Sequence, residues 1–468
     1  MGRRSLRYRA AYGSAVVTRV TRPIAAAALV IASLSSAPPA NAVGPPTVDG
    51  TLLPAPGPAA APYRTEQFKA CATTSGAAAS RRVPARPDLR AAWAVTRGAG
   101  QTVAVIDTGV ARHRLLPRLI PGGDFVSTGD GTQDCDGHGT IVAGLIGSAP
   151  DEESGFSGVA PEATILGIRQ SSSRFREVGG AEGVGDVDTL AASVRLAADL
   201  GATVINISTV ACVAAGEALD DRALGAALAY AVEVKNAVVV AAAGNVGGHG
   251  SCPKQNPTSG SVPDWERVEV VASPCWYDEY VLTVGSARTD GMPSEFTLGG
   301  PWVDVAVPAE AVVSLSPSGE GLVDQAPDDA APQTISGTSY AAPLVAGIAA
   351  LLRSAMPHLT ARQVMKRIED TALTPGSGWN PLVGQGIVDV VGALDGAAPD
   401  ISRSSPAVRA VPPALERTSS GTGRRALAGA AVCMTAAAAL ISSARLRRRR
   451  DPVTLNGRGG TAERGSPR

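Results

Sequence analysis

The sequence is poor in aromatic residues, in histidine and in clustered metal ligands. Aromatics make up 4% of the 468 residues and there are four histidines, against 53 glycines and 35 prolines. No ligand cluster identifies a metal site, calcium included, and nothing in the sequence indicates a cofactor. The glycine and proline content is typical of a compact fold with many tight turns and an extended tail. The length fits one large α/β domain with terminal appendages, or two to three average domains.

Net charge is also absent, but the formal zero hides an asymmetry. Six arginines and no acidic residue precede residue 43, and ten arginines with two acidic residues follow residue 423. The section between them holds 26 basic and 40 acidic residues. An acidic middle between basic ends argues against nucleic acid as a partner. The distribution fits a soluble domain flanked by membrane-active segments.

Residues 1–42 are predicted to be a secretory signal peptide. A basic stretch with arginines between positions 3 and 22 precedes a short apolar run at 24–34. Ala40, Asn41 and Ala42 then match an A-x-A cleavage site, which leaves Val43 as the mature N-terminus. The alternative is an uncleaved anchor, for which the apolar run is short.

The one long hydrophobic run near the other end predicts a transmembrane helix over 424–446. Residues 426–444 carry no charge, and arginines follow at 445 and 447–450. This run is just long enough to cross a bilayer, and the arginines predict a cytoplasmic basic tail at 447–468. A buried alanine-rich helix is the alternative. Residues 398–423, rich in Ser, Pro, Gly and Arg, are interpreted as a flexible linker.

The section between these ends is predicted to be an extension at 43–90 and a globular domain at 91–397. The extension is rich in Pro and Ala and then shows a poor helix or strand pattern over 66–90, so we expect it to wrap the domain surface. Short β-rich runs occur at 102–106, 164–168, 203–207, 237–242 and 280–284, and amphipathic runs at 189–200, 221–235, 339–353 and 361–371. This alternation predicts an α/β fold with a mainly parallel central sheet and helices on both faces.

The first chemical motif is an apolar strand that ends in Asp107, followed by Thr108 and Gly109. Catalytic groups lie at the carboxyl ends of strands in open parallel sheets. Taken alone, Asp-Thr-Gly also fits an aspartic protease, which needs a second such motif or a symmetric dimer. A second Asp-Thr-Gly does not occur in this chain. A structural turn aspartate is the remaining alternative.

The second motif, Asp-Gly-His-Gly-Thr at 136–140, precedes an apolar run that predicts a helix. The glycines on both sides of His138 would let another backbone or a substrate approach the imidazole. Most isolated histidines are structural or exposed, and His113 and His358 fit that description.

The third motif, Ser-Gly-Thr-Ser-Tyr-Ala-Ala-Pro at 336–343, leads into another predicted helix. Ser339 would lie at the helix N-terminus, where free N–H groups and the helix dipole favour a developing oxyanion. For an isolated serine, simple helix capping would be the better interpretation.

In this order, the three segments resemble those of the subtilisin-like serine proteases, the subtilases. The resemblance covers roughly residues 90–397 and implies a subtilisin-like fold with Asp107, His138 and Ser339 as the catalytic triad. It also implies that Asn245, after the apolar strand 238–242, donates its side-chain N–H to the oxyanion. Neither a metal nor a cofactor is needed for this chemistry.

One segment departs from the subtilase pattern. Subtilases usually carry Ser-Leu-Gly after the strand at 203–207, where this chain has Ser208, Thr209 and Val210. A β-branched residue in place of the glycine would narrow the substrate cleft.

Five of the six cysteines lie in the exported part, where disulfides are favoured. Spacing alone leaves their connectivity open. The plan of the chain and the segments 206–213 and 277–285 resemble the mycosins, the subtilases of actinobacterial type VII secretion systems. That resemblance implies bridges Cys71–Cys135 and Cys212–Cys252 and leaves Cys275 unpaired. It also implies an extension that stays attached, although shedding as a propeptide is the alternative.

Two functions follow from the resemblance. One is a membrane-anchored endopeptidase on the extracytoplasmic side that processes a secreted protein substrate of a type VII secretion system. The other is a structural component that stabilises the type VII secretion membrane complex, with proteolysis dispensable. A general degradative protease is a third interpretation, which the altered cleft segment disfavours.

Overall fold

The computed structural model describes residues 43–73, 87–247, 252–327, 333–374 and 378–395. The predicted signal peptide, linker, transmembrane helix and cytoplasmic tail lie outside these residues. Within them, every helix is too short or too polar to span a membrane.

A seven-stranded parallel sheet forms the centre of the described part. Its strands are β2 Thr102–Asp107, β3 Leu119–Asp124, β4 Thr164–Arg169, β6 Val204–Ile207, β8 Val238–Ala242, β10 Leu282–Ala287 and β11 Val305–Pro308. Their spatial order is β11-β10-β8-β6-β2-β4-β3, and every neighbouring pair is parallel. Three short antiparallel pairs lie outside it, made by β1 Thr65–Gln67 with β5 Phe175–Glu177, β7 Ala211–Ala214 with β9 Val270–Ser273, and β12 Ser314–Leu315 with β13 Leu322–Val323.

The inner strands are apolar because both faces of the sheet are covered. All residues of β6 and β8 are buried. Successive side chains of a strand point to opposite faces, so continuous burial requires a layer on each side. The expected helices on both faces are the elements that supply such layers in α/β folds.

Four of the described helices lie in connections between strands, and three follow the last strand. These helices are α1 Pro87–Val95, α2 His138–Gly147, α3 Val187–Asp199, α4 Arg222–Ala229, α5 Thr338–Ala355, α6 Ala361–Asp370 and α7 Val390–Leu394. Helices α3 and α6 begin with capping boxes at Asp186 and Thr360. Helix α4 continues into a π-helical turn, Tyr230–Val234.

The apolar runs and amphipathic runs predicted from the sequence are confirmed as strands and helices of the domain. The two edge strands, β3 and β11, were not predicted. Strand β3 contains Pro121, Gly122 and Gly123, and its register with β4 shifts between Pro121 and Gly123. Proline and glycine are confined to edges and bulges of sheets, so a composition argument passes over such a strand.

The extension contacts the domain where it is described. Strand β1 pairs with β5, and Thr65 Oγ1 donates to the Val126 carbonyl at 2.5 Å. The methyl group of Ala59 lies over Gly123, where a Cβ would collide with it. The poor helix or strand pattern over 66–90 did not reveal two elements found there, the last two residues of β1 and the start of α1. Three residues are too few to show a periodicity, so β1 depends on its partner strand.

Both disulfides implied by the family resemblance are formed. Cys71 of the extension bonds to Cys135, and Cys212 bonds to Cys252. Among the described cysteines, Cys275 is the free one; it is buried and its thiol donates to the Ala242 carbonyl at 3.0 Å. Burial raises the pKa of this thiol to about 12, which keeps it protonated.

Candidate active site

Asp107 and His138 form a hydrogen-bonded pair at the carboxyl end of β2. Asp107 is the last residue of the strand and is completely buried. Its Oδ1 lies 2.7 Å from His138 Nδ1 and also accepts the Thr108 N–H at 2.7 Å. The carboxylate therefore fixes the imidazole with Nδ1 as the donor, which leaves Nε2 as an acceptor when the ring is neutral.

His138 is the first residue of α2, and its neighbours allow close packing against the strand end. A Cβ on Gly139 would collide with the Gly109 carbonyl oxygen. Gly137 has a φ of 85°, which favours glycine. Gly139 thus allows a backbone-to-backbone contact, one of the two purposes expected from the sequence, and Gly137 supplies a left-handed backbone conformation.

Asn245 and Ser339 lie together at the carboxyl end of β8. Ser339 is the second residue of α5, and Asn245 Oδ1 accepts the Thr338 N–H at 3.0 Å and the Thr338 hydroxyl at 2.9 Å. These bonds orient the Asn245 amide so that Nδ2 is left to donate elsewhere. A Cβ on Gly337 would lie 3.3 Å from both Asn245 Nδ2 and Ser339 Oγ, so these two atoms border the same small space.

Tyr340 joins the two halves of the site. It follows Ser339 in the chain, is buried, and its ring centroid lies 5.2 Å from that of His138. The first turn of α5 therefore packs directly on the imidazole of the Asp107–His138 pair. The structure thus brings all four residues predicted from the sequence to one edge of the sheet.

The site is electrostatically negative around the imidazole. Desolvation lowers the pKa of His138, but the charge and hydrogen bond of Asp107, with the charges of Asp134 and Asp136, outweigh it, so the pKa is raised. Burial raises the pKa of Asp134 to about 6, although four hydrogen bonds favour its ionised form. The pKa of Tyr340 is raised by burial and by the charges of Asp107 and Asp134, so its hydroxyl stays neutral.

An open cavity of about 480 Å³ lies beside His138. Its lining includes Asp136, whose carboxylate accepts hydrogen bonds from the side chains of Ser172 and Ser173 and from the Ser173 N–H. The cavity is wide enough to receive side chains of an extended peptide.

The segment that departs from the subtilase pattern borders the oxyanion side. A Cβ on Gly244 would lie 3.4 Å from Val210 Cγ2 and 3.0 Å from Cys252 Sγ. Val210 therefore packs across from the residue that precedes Asn245. That Val210 narrows the substrate cleft stays a prediction.

Asp134, Asp136 and Tyr340 take part in the site but were not predicted. An acidic residue a few positions before a predicted helix is a capping signal, and Asp134 stands four residues before His138. Asp134 could therefore have been predicted from the sequence as a capping residue of α2. The contact between Tyr340 and His138 has no sequence signal, because it depends on how α5 packs. In the described part of the chain, no group of three or more potential ligands could hold a metal ion.

Comparisons with known proteins agree with this geometry. The Subtilase family (Peptidase_S8) matches residues 98–387. Mycosin-4 of Mycobacterium tuberculosis is 54% identical, with 92% of this chain and 97% of that protein covered. The structure of the MycP3 protease from the type VII (ESX-3) secretion system is 45% identical, with a TM-score of 0.70 over 75% of this chain and 99% of that one.

A further similarity is to an intact ESX-5 inner membrane complex, where a chain that is 37% identical matches with a TM-score of 0.69, over 86% of this chain and 100% of that one. The chain therefore belongs to the subtilase family and, within it, to the mycosins, the subtilisin-like serine proteases of type VII secretion.

Proposed function

We propose that Asp107, His138 and Ser339 act as a catalytic triad that hydrolyses peptide bonds in a secreted protein substrate. The 2.7 Å hydrogen bond between the buried Asp107 carboxylate and His138 Nδ1 carries the proposal. It leaves Nε2 free to accept the Ser339 proton as Oγ attacks the peptide carbonyl. His138 then delivers that proton to the leaving amine, and Asp107 stabilises the imidazolium between the two steps.

The oxyanion of the tetrahedral intermediate would be held between Asn245 Nδ2 and the backbone N–H of Ser339. Both groups are fixed before the reaction, Asn245 through Thr338 and Ser339 through its place in the first turn of α5. Donors that need no reorganisation stabilise developing charge strongly in a partly buried site. The first turn of α5 adds the positive end of its helix dipole.

Labelling with a serine-directed fluorophosphonate tests the nucleophile. The natural chain should react and Ser339→Ala should not. Ser336→Ala is the matched control, because Ser336 lies three residues earlier in the same segment and accepts the Ala311 N–H. Labelling that persists in Ser339→Ala and disappears in Ser336→Ala would contradict the assignment.

The location follows from the two terminal segments. We infer that residues 1–42 direct export, that 424–446 span the membrane after the linker 398–423, and that 447–468 remain in the cytoplasm. The acidic composition of the exported part and the arginines after the apolar run support this orientation. Protease added outside intact cells should remove the domain while a tag at the C-terminus stays protected; loss of the tag would reverse the orientation.

The extension at 43–90 is proposed to remain attached after export. It adds strand β1 to the domain, forms the Cys71–Cys135 bridge and pairs Glu66 with Arg176 at 2.9 Å. Intact mass measurement of the exported protein should give an N-terminus at Val43. A mature N-terminus near Ala92 would instead show that the extension is shed.

A structural role is the second candidate function. The matched ESX-5 chain is part of an inner membrane complex, which supports a place for this chain in such an assembly. A host that carries Ser339→Ala and a host that lacks the chain separate the two roles. If secretion continues in the first and stops in the second, the structural role dominates; if it stops in both, proteolysis is required.

A further inference from the structure

Asp134 makes four hydrogen bonds that surround the Asp107–His138 pair. Its Oδ1 accepts the Thr108 hydroxyl at 2.8 Å and the Gly137 N–H at 2.7 Å. Its Oδ2 accepts the N–H and the hydroxyl of Thr140 at 2.8 and 2.6 Å. Each carboxylate oxygen therefore accepts two hydrogen bonds, and all of the donors lie within two residues of Asp107 or His138 in the chain.

These donors belong to two separate segments of the site. Thr108 follows the catalytic carboxylate at the end of β2, and its hydroxyl in turn accepts the Gly139 N–H at 3.0 Å. Gly137 and Thr140 flank His138 in the first turn of α2, and the Thr140 hydroxyl accepts the Ala111 N–H at 2.9 Å. One carboxylate thus holds the strand end and the helix start in register.

Asp134 also caps α2, since the N-cap residue Gly137 has no side chain to do so. The N–H of Thr140 is the third of the helix, the donor that an N-cap side chain normally accepts. A negative charge at this end is favourable to the helix dipole. The same charge faces the imidazole of His138 and helps to raise its pKa, together with Asp107 and Asp136.

We propose that Asp134 is a positioning residue for the hydrolytic reaction, which holds the imidazole of His138 in line with Asp107 by joining the strand end to the helix start. This inference rests on the triad proposed above. Asp134 touches neither the proposed nucleophile nor the oxyanion donors, so it acts through His138. Its loss should therefore alter the reactivity of Ser339 without removing the nucleophile.

The test is the rate of fluorophosphonate labelling of Ser339, followed across pH in the full chain. Asp134→Asn keeps the size of the side chain but presents an NH₂ group to two donors. The plateau rate should fall about tenfold to a hundredfold, the cost of a misplaced catalytic group. The acid limb of the profile should also move to lower pH, because the imidazolium loses a neighbouring negative charge.

Asp130→Asn is the matched control, since Asp130 lies in the same loop and accepts two bonds from Thr132 but none from the residues around His138. It should leave both the plateau and the acid limb unchanged. Thr108→Val removes one of the four bonds to Asp134, and with it the bond from the Gly139 N–H, while the charge of Asp134 stays. It should therefore lower the plateau a fewfold without moving the acid limb.

Each outcome decides the matter. A natural plateau and an unmoved acid limb in Asp134→Asn would overturn the proposal, as would equal effects in Asp130→Asn. If Asp134→Asn does not fold, Thr108→Val decides: a reduced plateau in a protein with normal thermal stability supports the positioning role, and a natural rate overturns it. If the natural chain itself does not label, the triad fails first and the positioning role falls with it.

Discussion

The two sides of the active site are built alike but are held by different chemistry. On each side the carboxyl end of a strand meets the first turn of a helix, β2 with α2 and β8 with α5. On the acid–base side, the Asp134 carboxylate links the strand end to the helix start by hydrogen bonds. On the oxyanion side, the neutral side chains of Asn245 and Thr338 form this link. Because a carboxylate titrates and the side chains of Asn245 and Thr338 do not, we expect pH to affect the contacts of the acid–base side and to leave those of the oxyanion side unchanged.

The largest expected effect is that of Asp107→Asn, which acts on the acid–base side. An amide cannot stabilise the imidazolium and favours the wrong tautomer of His138, so the labelling rate should fall by about 10⁴-fold. The acid limb of the remaining activity should move to lower pH, because the Asp107 charge raises the pKa of His138. The rate of fluorophosphonate labelling against pH measures both. Activity within tenfold of the natural chain would mean that another group orients the imidazole.

On the oxyanion side, Asn245→Ala should lower kcat by about 10²- to 10³-fold, since one donor to the transition state is removed. The acid limb should not move, because no charge is lost. Peptide hydrolysis measured across pH gives both quantities.

Thr338→Val is the companion variant for the oxyanion side. It removes the hydroxyl bond to Asn245 and the bond that this hydroxyl accepts from the Gly244 N–H, and it keeps the Thr338 N–H bond to Asn245. We therefore expect kcat to fall by about fivefold for each of the two lost hydrogen bonds. A shift of the acid limb in either variant would show that the oxyanion side also depends on charge.

In the natural chain, a change of pH tests the acid–base side without any substitution. His138 must be neutral to accept the Ser339 proton, so activity should fall as the pH drops through its raised pKa, above the acid limb of an ordinary histidine. The contribution of His138 to the free energy of unfolding depends on pH in the opposite sense. It is fully present below the usual histidine pKa and is lost as the pH rises through the raised pKa of His138.

Labelling rates and thermal unfolding temperatures over the same pH range check this opposition. Asp107→Asn serves as the reference in which the main cause of the raised pKa is removed. If activity and the His138 contribution to stability fell together with decreasing pH, the raised pKa of His138 would be wrong.

The last prediction concerns peptide specificity rather than rate, and it tests the role of Val210 at the oxyanion side. Val210→Gly removes the side chain that packs across from Gly244 and should favour peptides with a larger residue before the scissile bond by about tenfold. The ratio of kcat/KM for a large and a small residue at that position measures it, with Val210→Ala as the intermediate control. An unchanged ratio in both variants would place the narrowing elsewhere.

The strands that were predicted have side chains that are buried on both faces. Continuous apolar runs, such as the one that forms β8, record that burial directly in the sequence. Strand β3 and strand β1 record no such pattern, because an edge strand with Pro121 and a three-residue strand depend on hydrogen bonds to a partner. Hydrophobic periodicity predicts a strand only where burial restricts the residue types that can occupy its positions.

The candidate site shows the same division. Asp107, His138 and Ser339 were predicted because their three motifs, each at a strand end or a helix start, occur in the order that resembles the subtilases. Asn245 was predicted from that resemblance. Asp134 and Tyr340 were not found, since their importance comes from contacts across 108–140 and from the packing of α5 on His138.

The sequence by itself determined which side chains are the candidates for the chemistry and that they lie near strand ends and helix starts, because residue type and apolar pattern are local properties of a chain. Tertiary structure alone decided that one carboxylate joins both partners of the acid–base pair and that Tyr340 covers the imidazole. Such contacts form between segments whose distance depends on the packing of the whole sheet, and short-range sequence patterns hold no record of that distance.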